Sequence, residues 1–67
     1  MMKSYFCYFR AGGRPVQGFE VVQGVDDRAA RKLAAVLLKR HPMRERVEVW
    51  ESAKRICTVT QRELRAF

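Results

Sequence analysis

The sequence is poor in the residues that most site chemistry requires. It has one histidine, His41, and two cysteines, Cys7 and Cys57, set 50 positions apart. A structural zinc site needs four well-spaced ligands, which a single chain of this composition does not supply. Nucleophilic catalysis needs a nucleophile, a base and an orienting group at close range. His41 stands before Pro42 at the end of a helical pattern, where packing or contact with the last helical carbonyls accounts for it. Asp26 and Asp27 read as a helix cap, and the other carboxylates are scattered, so no pair is set for acid–base work. Gly12-Gly13 lacks the G-x-x-x-x-G-K-[ST] surroundings of a phosphate loop. These absences predict a protein that is not an enzyme and takes no metal, cofactor or small-molecule substrate.

Targeting signals are lacking too. The apolar stretch Tyr5–Phe9 is five residues long and stops at Arg10. A signal peptide needs a longer apolar stretch, and a transmembrane helix about 20 residues. The expectation is a cytoplasmic protein with reduced thiols and no membrane contact.

What is present is a short, basic and fairly apolar chain. Its 67 residues are 48% hydrophobic, enough for one compact core over 1–67. A chain of this size buries only roughly 60% of the surface that it exposes when unfolded. A second copy or another protein partner would therefore add to its stability. Fourteen Lys and Arg against seven Asp and Glu give a net charge of +7. The basic residues run from Lys3 to Arg65 with no block of five or six, so they do not form a basic tail. Such a balance favours polyanions, whether nucleic acid, an acidic protein face or an anionic membrane surface, and it also serves plain solubility.

The order of elements follows from local pattern. Ser4–Arg10 is short and aromatic-rich, with strong strand preference. Gly12-Gly13 suits a two-residue hairpin turn, and Val16–Gln23 follows as an edge strand behind Pro15. Asp26 is a good N-cap for a helix running to about His41. Within it Ala30, Leu33, Ala34, Leu37 and His41 share one face, and Arg28, Arg31, Lys32, Ala35 and Lys39 the other. Arg46–Glu51 alternates, Ser52–Lys54 turns, and Arg55–Thr60 is β-branched. Thr60-Gln61-Arg62-Glu63 has the capping-box pattern of a short C-terminal helical turn carrying Leu64 and Phe67.

Two hairpins joined by a helix, with a right-handed crossover, predict an α+β fold of ββαββ layout. The first strand enters between the second and third, which gives a four-stranded antiparallel sheet of order 2-1-3-4 with one helix on one face. The third strand then separates Cys7 from Cys57 by two strand spacings, too far for a disulfide. A Gly12-Gly13 turn pairs Phe6 with Phe19 and Tyr8 with Gln17. On that register Ser4, Phe6, Tyr8, Phe19 and Val21 face the helix, while Tyr5, Cys7, Phe9 and Glu20 face away. With Val47 and Val49 inward, Trp50 joins the outer face. A one-residue slip exchanges the sets.

Two candidate surfaces result. Arg28, Arg31, Lys32 and Lys39, with Arg40 at their flank, could contact phosphates or form a solvated helix face. The helix has no Asn or Gln for bidentate reading of adenine, which argues against base-specific reading in the major groove. Tyr5, Phe9 and Trp50 form the expected interaction face, able to stack unpaired bases, to bury against a second subunit or to be covered by the tail. Arg46 and Arg55 lie near it.

The pieces Tyr5-Phe6, Ala29-Ala30-Arg31-Lys32-Leu33-Ala34 and Val47-Glu48-Val49 resemble those of a group of small uncharacterised bacterial ββαββ proteins. In place of that group's acidic, Gly-rich second hairpin stands Glu51-Ser52-Ala53-Lys54-Arg55, and the basic balance also departs from it. The resemblance implies the fold and no activity. The leading expectation is a non-enzymatic nucleic-acid-binding module. The alternative is a protein-interaction module, either a homodimer or an accessory or inhibitor protein docking on a larger partner.

Overall fold

A computed structural model describes residues 1–66, and Phe67 lies outside the described residues. Strand β1 spans Lys3–Arg10, β2 Gly18–Gly24, helix α1 Asp27–Lys39, β3 Arg46–Glu51, β4 Lys54–Thr60 and helix α2 Gln61–Arg65. The strands form one antiparallel sheet of order β2-β1-β3-β4, as the element order predicts. Both helices lie on one side of it: α1 packs against the strands, and α2 contacts α1 and β4.

Helix α1 starts where Asp26 accepts from the Ala29 N–H at 2.8 Å. Its C-terminal carbonyls have a partner from outside the helix. The Gln61 side-chain amide donates to the Leu38 carbonyl at 2.9 Å and to the His41 carbonyl just past the helix at 3.1 Å, adding to the backbone N–H groups of His41 and Arg44 that these carbonyls already accept. Helix α2 is capped by Thr60, whose Oγ1 accepts from the Glu63 N–H at 3.1 Å. Where β2 meets α1, a Cβ on Gly24 would stand 3.2 Å from the Ala30 nitrogen and 3.4 Å from the Asp26 carbonyl oxygen. Both obstacles are backbone, so glycine permits this close crossing.

The core consists of Tyr5, Cys7, Phe9, Ala30, Ala34, Leu38, Val47, Val49 and Val59. This reverses the expected faces of β1. The Gly12-Gly13 turn is only part of a connection running from Ala11 to Gln17, with Gly12 at φ +58° and Pro15 and Val16 outside the ladder. Phe6 therefore pairs with Val21 and Tyr8 with Phe19, two residues from the expected register. A shift of two leaves each pair on one face, so the hairpin alone does not fix which side is buried. The β1–β3 register does. Cys7 stands opposite Val49 and Phe9 opposite Val47, and residues opposite one another project to the same side. With Val47 and Val49 inward, Cys7 and Phe9 must be inward, and Tyr5 follows by alternation.

The helix differs in detail as well. Ala30, Ala34 and Leu38 are buried, whereas Leu33, expected inward, is 41% exposed. Both thiols are free and sit on either side of Val49, which pairs with Cys7 and with Cys57. No described helix is long and apolar enough to cross a membrane.

Candidate functional site

The sheet face opposite the helices carries a continuous set of aromatic rings. Phe6 and Tyr8 reach it from β1, Phe19 from β2 and Trp50 from β3. Phe6 and Phe19 are stacked, with centroids 6.0 Å apart and planes 15° from parallel. Tyr8 lies 5.2 Å from Phe19 and meets Trp50 edge-on at 6.5 Å. The rings thus join β2, β1 and β3 across the sheet. Phe19 is 50% exposed and Val21 beside it 49%. Phe6, Tyr8 and Trp50 are half-buried.

Next to the rings is a hollow of about 400 Å³ lined by Tyr8, Arg10, Val16, Glu48, Trp50, Ser52 and Ala53. Glu48 organises its floor. One carboxylate oxygen accepts from the Trp50 indole N–H at 3.2 Å and so fixes the ring orientation. The other lies 2.9 Å from Arg10 Nε, a charge contact, although that N–H has no acceptor in its line and makes no hydrogen bond. Ser52 holds φ at +53° in the β3–β4 turn. Arg46 projects on the same side as Arg10 and donates to the Gly12 carbonyl at 3.3 Å, anchoring the long connection. Arg55, opposite Trp50 in the β3–β4 ladder, is exposed on this face, and Arg14 is exposed in the β1–β2 connection.

Of the expected interaction face, Trp50 alone lies here. Tyr5 and Phe9 are fully buried beneath α1 and cannot form an exposed surface. Burial pushes the Tyr5 hydroxyl up to about 12, and its hydrogen bond to Asp27 adds to the effect. Phe9 packs edge-on to His41 at 5.9 Å and lies under the Arg44 guanidinium at 4.7 Å. His41 is accordingly a packing residue. Leu64 packs against the core beside the helices, so α2 leaves the open sheet face uncovered.

The basic helix residues are exposed but do not act as one group. Arg28, Lys32 and Lys39 follow one stripe, while Arg40 forms the C-cap roughly 100° around the axis from it. Arg31 turns to α2, where it pairs with Glu63 at 2.7 Å. Ser4, Phe6, Tyr8, Phe19 and Val21, expected against the helix, lie on the open face, and Tyr5, Cys7, Phe9 and Glu20 lie on the helix side. Ser4 and Arg10 share the parity of Phe6 and Tyr8, but Lys3 shares that of Tyr5, Cys7 and Phe9, so β1 by itself does not tell its two faces apart.

No protein-family model, curated protein or solved structure matches this chain.

Proposed function

We propose that this is a non-enzymatic module that binds single-stranded nucleic acid on its open sheet face. The carrying observation is the aromatic set Phe6, Tyr8, Phe19 and Trp50 on the uncovered side of the sheet, in a chain of net charge +7. Every base has a π-face, so exposed rings bind unpaired bases with little regard to sequence. Paired bases hide those faces, so a duplex is the poorer ligand. Arg55 beside Trp50 and Arg14 in the β1–β2 connection supply charge for the phosphates, and Arg28, Lys32 and Lys39 add a long-range positive field from the opposite side.

Trp50 is the only tryptophan and reports directly on the site. Titration with a single-stranded oligonucleotide at about 50 mM salt should quench its fluorescence, and added salt should reverse the change. A duplex of the same length should quench less. Unchanged fluorescence together with no detectable binding would remove the proposal.

A further inference from the structure

The outer edge of β2 is an unprotected strand edge. It ends the sheet, and among the described residues no strand pairs with its outer side. The backbone polar groups of β1 alternate between its neighbours: the Phe9 carbonyl accepts from Gln17, towards β2, and the Arg10 carbonyl accepts from Glu45, towards β3. The residues of β2 that bond to β1 are therefore Gly18, Glu20 and Val22, opposite Phe9, Cys7 and Tyr5. Phe19, Val21 and Gln23 turn their backbone N–H and C=O groups outward. Edge strands are ordinarily guarded by lysine, proline, a bulge or a covering segment. Strand β4, the other edge, begins with Lys54 and Arg55 and takes part in a bulge near Trp50. Strand β2 reads G-F-E-V-V-Q-G, with no basic residue, no proline and no break in register.

Charge sets this edge apart. Residues 15–27 include Glu20, Asp26 and Asp27 but no Lys or Arg, in a chain that carries 14. Arg44 reaches the strand only at its first residue, Gly18. Two copies of a +7 chain repel each other, and the repulsion is weakest where local positive charge is absent. Apolar side chains are exposed on both sides of the same edge. Phe19 and Val21 lie on the open face. On the helix side, Leu33 sits about 200° around the axis from Arg31, which reaches α2, so Leu33 leans towards β2.

We propose that the β2 edge binds a second copy of this chain in antiparallel pairing about a two-fold axis at Val21. This register places Val21 of one copy opposite Val21 of the other, Phe19 opposite Gln23, and Gly18 opposite Gly24, so all seven residues pair. A register centred on Glu20 would set two carboxylates opposite each other and use a shorter overlap. The product is one eight-stranded sheet in which both aromatic sets lie on the same face. Such an edge buries modest area, so the dimer is weak.

This proposal does not rest on nucleic-acid binding, and salt separates the two. Screening relieves the repulsion between copies and favours the dimer, whereas it weakens phosphate contacts. Light scattering on the nucleic-acid-free protein, up to about 100 µM and at high salt, should read twice the 7.8 kDa chain mass. Val21→Pro and Val21→Lys alter an outward N–H and a half-exposed side chain, and both should read the chain mass with the parent's far-ultraviolet spectrum. In the unaltered protein, the Phe19, Val21 and Gln23 amides should gain protection from hydrogen exchange as concentration rises. A parent that stays at chain mass, variants that remain dimeric, or edge amides unchanged by concentration would each overturn the proposal.

Discussion

The Tyr5 hydroxyl donates to Asp27 Oδ1 at 2.8 Å and ties the first strand to the first turn of the helix. The contact lets a buried phenol satisfy its hydroxyl at the edge of the core, while its ring fills the space beneath α1. It spans 22 positions of sequence and holds the Tyr5 side chain on the helix side of β1. Tyr5→Phe keeps the ring and removes the donor. Thermal melting should show a decrease of a few degrees, with the fold retained. A Tm equal to or above the parent's would contradict this role.

Buried groups with raised pKa make the fold sensitive to alkali. Burial, then Glu20 and Cys57, pushes the Cys7 thiol from 9.0 up to about 11. Tyr5 rises from 10.0 to about 12. Cys57 is also raised, chiefly by burial, with Arg31 opposing. A group raised in the folded state gives its full contribution below its unfolded pKa and loses it as pH climbs through the folded one. Stability from these groups is therefore level below about pH 9 and declines from there towards pH 12. Urea midpoints across this range should trace the decline, and Cys7→Ala should soften its onset. A flat profile up to pH 12 would refute the assignment.

Gln61 binds the end of α1 from the start of α2, with two hydrogen bonds in a half-buried setting. Gln61→Ala should lower unfolding free energy by about 1–2 kcal/mol. It should also raise hydrogen exchange at the last turn of α1. Exchange confined to α2 would mean that the two helices are not coupled through this residue.

The β3–β4 turn stores a small strain. A positive φ at its first central residue alone fits a II′ turn, a position that prefers glycine, and Ser52 occupies it at +53°. Ser52→Gly should stabilise the protein by up to about 1 kcal/mol in chemical denaturation. A loss of stability would show that the Ser52 side chain does more than its backbone reveals.

Element order, helix caps and sheet order were legible because each has a local cause. Asp26, Thr60 and the two hairpins declare themselves within a few residues, and a right-handed crossover leaves few arrangements. The side of β1 was not legible from the hairpin, because Tyr5-Phe6-Cys7-Tyr8-Phe9 is apolar at both parities. It is decided by Cys7 and Phe9 meeting Val49 and Val47, pairings more than 35 residues apart in sequence. Trp50 was placed correctly because its position depends on β3 alone, where Val47 and Val49 alternate cleanly with Glu48. The basic helix residues were correctly read as exposed, but the Arg31–Glu63 pair depends on where α2 docks, which no local pattern specifies.

The central claim is that bases meet the aromatic sheet face and not the basic helix. The most direct test compares two variants for affinity towards one single-stranded oligonucleotide at about 50 mM salt. Phe19→Leu combined with Trp50→Leu keeps apolar bulk and removes two π-faces. Lys32→Ala removes one charge from the helix. With stacking worth about 1–3 kcal/mol per base, the sheet-face variant should bind roughly tenfold more weakly or worse. The helix variant should lose less than about threefold. A sheet-face variant that binds like the parent, beside a helix variant that fails, would contradict the account.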